Sequence, residues 1–167
     1  MPFTPFHFGP GAAFKAVLSN RFSFALFCYT QVVTDCETGY HILAGYYPIH
    51  RFFHTWLGAT AVGLACAVTG RPVCQFALQL WYGRFPESLT RIFPGAATIS
   101  WKAALLSSLL GTYSHVLLDS LMHRDMEPCS PWSSSNPLLR LISTPILHGI
   151  CVGLGALGIA CLARCDD

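Results

Sequence analysis

Apolar residues recur along the chain in long runs separated by short polar breaks, a pattern that predicts helices rather than strands. The stretch Pro10 to Asn20 suits a short helix, with proline tolerated in its first turn and Asn20 able to end it. A second run, Phe22 to Asp35, would reach roughly 21 Å as a helix, short of a hydrocarbon core of roughly 30 Å. These pieces predict a short N-terminal helical hairpin. Asp35 then ends an apolar helix, where an anion opposes the local dipole unless a cation offsets it. Cys36 to Ile49 reads as turn-rich. Phe52 to Thr69 carries one histidine and no charge, as a membrane helix should, and Arg71 with Pro72 is expected to break it. The next segment, FALQLWYGRFPESLTRIFPG, mixes aromatics with arginines in the manner of a segment lying at a membrane interface. Ser100 to His123 is long enough to cross and turns polar only towards its end. A loop rich in Pro and Ser, Arg124 to Asn136, leads to a last apolar run, Leu138 to Ala163, with Gly149 and Gly153 spaced for close helix packing.

Composition turns this string of helices into a membrane protein. Of 167 residues, 53% are hydrophobic and only 11% charged, whereas soluble domains carry about 25% charged residues. Mean hydropathy is +0.47, so there is too little polar surface to wrap a water-soluble body and lipid is the expected partner of the exterior. The fold class that follows is all-α: residues 1–167 as a single membrane-embedded domain, a small polytopic helix bundle with the N-terminal hairpin and the interfacial segment. A formal charge of +2 without any run of like charge gives no reason to expect nucleic acid. Eight cysteines without a C-x-x-C pair argue against a zinc ribbon or a disulfide scaffold. The opening MPFTPFHFGPG has no basic start before an apolar core and reads as retained sequence rather than a secretory signal.

Threading the runs back and forth through a bilayer gathers six of the seven histidines towards one face, with His148 nearer mid-membrane. Lys15, Arg21, Arg71, Arg84, Arg91, Lys102 and Arg164 fall towards the opposite face, and only Arg51, Arg124 and Arg140 share the histidine side. By the positive-inside rule the histidine face points outward, to the periplasm in a bacterium with two membranes. Cys36 and Cys129 are both assigned to that face, where a disulfide is permitted.

Within SHVLLDSLMH, His115, Asp119 and His123 recur every fourth residue and share one helix face. Imidazoles flanking a carboxylate at this spacing can converge on a divalent ion, zinc above all; the alternative is a hydrogen-bonded stripe that holds helices together. HRFFHT supplies a second pair, His50 and His54, in a setting that also resembles an ordinary interfacial belt. His7 lies between Pro5 and Pro10, where a stiff chain can aim a side chain with little entropy loss. Asp35 is both a candidate ligand and, with Glu37, a candidate proton carrier; Glu37 could equally orient a histidine or sit in solvent. Gln31 is one turn before Asp35 and is placed to hydrogen-bond it. His41 and His148 read as bystanders.

The opening MPFTPFHFGPG, the HRFFHT pair and SHVLLDSLMH together resemble the bacterial inner-membrane metal-dependent hydrolases, small multi-helix proteins with an N-terminal histidine, an HR-x-x-TH-like element and a later H-x-x-L-D element. His7, His54, His115 and Asp119 match those positions most directly. The resemblance implies a membrane-bound hydrolase whose bound metal activates water. A site at headgroup depth would suit a phospholipid or other lipid-linked phosphoester, with metal ligands drawn from His7, Asp35, His50, His54, His115, Asp119 and His123 for one or two ions. Two other classes stay open: a b-type haem or metal-binding membrane protein with histidines on facing helices, and a structural membrane protein whose polar stripe only specifies packing.

Overall fold

The structure, a computed structural model, describes residues 4–85 and 98–164. All regular elements among them are helical, in the order α1 (Phe8–Leu18), α2 (Phe24–Leu43), α3 (Trp56–Arg84), α4 (Trp101–Met122) and α5 (Thr144–Arg164), with short 3₁₀ turns at Thr4–His7, Ser19–Arg21 and Phe52–His54. Three starts are capped as their sequences imply: Ser23 accepts from Leu26, Thr55 from Gly58 and Ser100 from Ala103. Helices α2, α3 and α4 pack against one another, and α1 lies along α5.

Two elements run past the ends that local polarity suggests. The α2 helix continues through the expected turn region to Leu43, so Asp35 lies inside the helix rather than at its end. Its buried positions Leu26, Phe27, Thr30, Gln31, Thr34, Thr38 and His41 form one helical stripe. Of the stretch that suggests a turn, Thr38 and His41 are therefore turned inward, and earlier on the same stripe Thr30 and Thr34 bond back to the carbonyls of Phe27 and Thr30 at 2.7 and 2.9 Å. The α3 helix passes through Pro72 without stopping, although an interior proline costs ~3 kcal/mol. Tertiary contacts on the same turn offset that cost: Arg71 Nε donates to Ile99 O at 2.7 Å, its guanidinium lies 4.4 Å from the Trp101 ring centroid, and Gln75 Oε1 accepts from Ile99 N at 3.2 Å. The first part of the segment expected at the interface, up to Arg84, is thus helical, and its remainder falls outside the described residues.

Helices α3 and α5 are long and apolar enough to cross a membrane, and only 17% of the most apolar window of α5 is covered by protein. The α4 helix does not join them in apolarity because its inward face carries Ser107, Ser108, Thr112, His115, Asp119 and Ser120. Glycine packing also differs from the expectation at Gly149 and Gly153, since a Cβ on either would meet nothing. The close approach of α1 and α5 occurs instead at Gly9 against Cys151 and at Gly158 against Ala12. A third close approach, Gly111 of α4 against Thr30 of α2, sets the spacing of the two helices that carry most of the site.

Candidate metal centre

Four segments meet at one end of the bundle. His7 closes the N-terminal 3₁₀ turn, Asp35 and Glu37 project from α2, His50 and His54 flank the 3₁₀ turn before α3, and His115, Asp119 and His123 occupy the last two turns and cap of α4. The register of α4 is held where it matters. Arg140 N donates to Leu121 O at 3.0 Å and Asn136 Nδ2 to Ser120 O at 2.9 Å, so the following loop folds back and satisfies carbonyls that a helix end leaves open.

Asp119 is the hub. Its side chain is fully buried, with Oδ1 3.2 Å from His7 Nε2 and 3.7 Å from His123 Nε2. Its Oδ2 lies 3.2 Å from His115 Nε2, 3.6 Å from His54 Nε2 and 3.9 Å from His50 Nε2. Asp35 Oδ1 approaches from α2, 3.3 Å from His115 Nε2 and 4.0 Å from His54 Nε2. All seven residues that the sequence singles out as ligands are therefore at one end of the bundle. Asp35, His54, His115 and Asp119 place one ligand atom each within 4.8 Å of one another, and His50, His123 and Asp125 form a second such group. A divalent cation fits the first group by number and type of donor: two carboxylate oxygens and two imidazole nitrogens.

The outer nitrogens of three histidines are already committed. His115 Nδ1 donates to Gln31 Oε1 at 2.7 Å, and the amide is oriented by its own Nε2 donating to Gly111 O at 2.9 Å. His54 Nδ1 meets Glu37 Oε2 at 3.3 Å, and His50 Nδ1 meets Asp125 Oδ1 at 3.0 Å. A proton held on Nδ1 leaves the Nε2 lone pair of His115 and His50 free and directed inward, which is the tautomer a metal-ligating histidine needs, whereas His54 Nε2 lies 3.3 Å from the Thr38 hydroxyl, which donates to it in the same tautomer. Glu37 Oε2 also accepts from Arg51 N and Phe53 N, at 3.3 and 2.9 Å, so this carboxylate ties the segment ahead of α3 to α2.

Asp125 escaped the sequence reading, although it stands two residues after His123 and is the only acid between that histidine and Glu127. Its Oδ2 accepts from Ile49 N at 3.0 Å and His50 N at 3.3 Å. Burial works against its ionisation, but the hydrogen bonds and charge of His50 and those two N–H groups outweigh it and hold the carboxyl below its usual range. His50 is pushed below the usual histidine range, first by burial and then by neighbouring His54. Gln31 bonds His115 rather than Asp35, a correction that follows from the separation of α2 and α4 at Gly111. His41 and His148 stand outside the cluster: His41 Nδ1 pairs with Ile49 O at 3.0 Å, and His148, in the second turn of α5, stacks on Phe6 with centroids 4.0 Å apart. Cys36 and Cys129 are free thiols.

Compared with known proteins, the chain matches no family model, no curated protein and no solved structure.

Proposed function

We propose that the protein is a membrane-bound metal-dependent hydrolase, with a divalent cation held by Asp35, His54, His115 and Asp119. One observation carries the reading: ligand-type groups from separate segments are buried against one another, with histidine nitrogens turned to carboxylate oxygens 3.2–4.0 Å away. Both nitrogens of His7, both oxygens of Asp119 and Nε2 of His50, His115 and His123 are buried without a hydrogen-bond partner among the described residues. Five imidazoles surround the two oxygens of Asp119, more than that carboxylate can match, and each buried polar atom left unmatched costs ~1–3 kcal/mol. A bound cation removes that cost, whereas helix packing alone does not.

Zinc is the cation the donor set suits best. When bound it would lower the pKa of water towards ~7 and polarise the substrate. Asp35, whose side chain is 16% exposed while that of Asp119 is fully buried, is the carboxylate on the accessible side and would be the ligand to give way to water and take up its proton. Glu37 keeps His54 in the ligating tautomer. The b-type haem alternative is disfavoured by packing, because the His54 and His115 rings are 5.2 Å apart and Asp119 reaches between them. Helices α3 and α5 support a multi-pass location. The excess of basic residues away from the site favours a site at the outer face of a bacterial inner membrane, where a phosphoester or lipid-linked substrate would reach it.

Elemental analysis of protein purified without chelator tests the reading. At least one equivalent of divalent metal is expected, lost in His115→Ala protein that keeps its helical circular dichroism, together with chelator-sensitive cleavage of a phosphoester in mixed micelles. Parent protein free of metal under those conditions would refute it.

A further inference from the structure

The first group does not exhaust the ligands at this end of the bundle. With Asp35, His54, His115 and Asp119 assigned, a zinc-like ion has about the four ligands it takes, yet His7, His50 and His123 remain gathered around the same carboxylate. His50 and His123 have ring centroids 4.4 Å apart and belong to a second group at ligand distance. His7 is stacked on His115 at 4.5 Å, with Nε2 against Asp119 Oδ1. His50 is only 3% exposed, its Nδ1 is held by Asp125, and its Nε2 has no hydrogen-bond partner among the described residues.

We propose that the centre binds two divalent cations with Asp119 shared between them: one on the Asp35, His54 and His115 side, the other on the His7, His50 and His123 side. This deepens the hydrolase reading and rests on it. The two oxygens of Asp119 divide four of the histidines accordingly, and His50, nearer Oδ2, joins the second set through its ring contact with His123. Oδ1 faces His7 and His123, and Oδ2 lies nearest His115 and His54, with His50 at 3.9 Å on the seam. Asp125 has both oxygens occupied by His50 and by the N–H groups of Ile49 and His50, so it is a positioning residue for His50 rather than a ligand.

Charge points the same way. Asp35, Glu37, Asp119 and Asp125 all face this cluster of histidines. With neutral imidazoles, two divalent cations balance four carboxylates where one leaves two negative charges in a largely buried site, a costly arrangement at low dielectric. The nearby Arg51 is turned away, donating to Pro48 O at 3.0 Å from an exposed position. Paired cations of this kind clamp the attacking and leaving oxygens of an in-line displacement, which makes a phosphoester the substrate class of the site.

The experiment is metal stoichiometry of the full chain in detergent, with zinc as the probe, and electron paramagnetic resonance of manganese-loaded protein. The parent is expected to hold about two equivalents and to give an exchange-coupled manganese pair. His123→Ala and His50→Gln are each expected to retain about one equivalent and show an uncoupled ion, while Asp119→Ala loses both. Asp125→Asn should keep the first equivalent at parental affinity and bind the second about 10–100-fold more weakly. One equivalent in the parent, unchanged in His123→Ala, overturns the second cation and leaves the hydrolase reading standing. No metal in the parent overturns both. The manganese signal of the parent decides the matter even if a variant fails to fold.

Discussion

The two halves of α4 are both polar and both buried, and they differ in how their polar atoms are satisfied. Before Gly111, Ser107 Oγ accepts from Ser23 N at 2.8 Å, and past it the hydroxyls of Thr112 and Ser120 turn back to Ser108 O and Val116 O at 3.2 and 2.6 Å. Ser108 Oγ is the exception in having no partner among the described residues. After Gly111, His115 Nε2, His123 Nε2 and both Asp119 oxygens have no hydrogen-bond partner among the described residues and face the other imidazoles and carboxylates of the cluster. Serine and threonine can satisfy themselves against the preceding turn of their own helix; a histidine Nε2 or a carboxylate cannot. Buried polarity in a bundle is therefore a poor marker of a site, and buried polarity that the protein leaves unmatched is a good one.

Gly111 is the seam between those halves, and changing it should break the contrast most severely. In Gly111→Val the new side chain meets Thr30 and drives α2 from α4. Overpacking of this kind costs ~1–3 kcal/mol, and Asp35 moves away from His115. Both a lower thermal midpoint and loss of bound metal are expected; unchanged metal content would mean that the two helices need not be held at this distance.

A smaller change confined to the site half is Gln31→Leu, which frees His115 Nδ1 and leaves Gly111 O without its amide donor. Loss of such an orienting partner lowers metal affinity ~10–100-fold. Zinc competition against a chromophoric chelator reads the change, and parental affinity would show that the tautomer of His115 is set by something other than Gln31.

The least effect belongs to the satisfied half. Ser107→Ala removes the acceptor for Ser23 N at the start of α2, a loss of ~1 kcal/mol detectable by chemical denaturation, with metal affinity unaltered. A matching loss of metal would mean that the two halves are coupled and that the contrast drawn between them is false.

Parts of this arrangement are plain from the order of residues. Ser100 caps α4, and the fourfold spacing of His115, Asp119 and His123 puts them on one helix face whatever else the chain does. Runs of apolar residues, folded back and forth, carry His7, His50 and His54 to the same end. The extent of α2 was not legible, because Thr34, Asp35, Glu37 and Thr38 look alike whether they face water or another helix. Nor was the passage of α3 through Pro72, since the contacts of Arg71 and Gln75 with residues 99–101 lie far along the chain.

What the sequence determined by itself is the helical class, the lipid-compatible surface and the kinds of ligand available, because periodicity, composition and donor type are local properties. Only the tertiary structure decided which atoms of those ligands point at one another. Gln31, Glu37 and Asp125 come from 84, 17 and 75 positions away in the chain to hold the outer nitrogens of His115, His54 and His50. That choice of tautomer and direction depends on helix spacing at Gly111 and on the fold of the loop after α4, and no local pattern encodes a distance between segments so far apart.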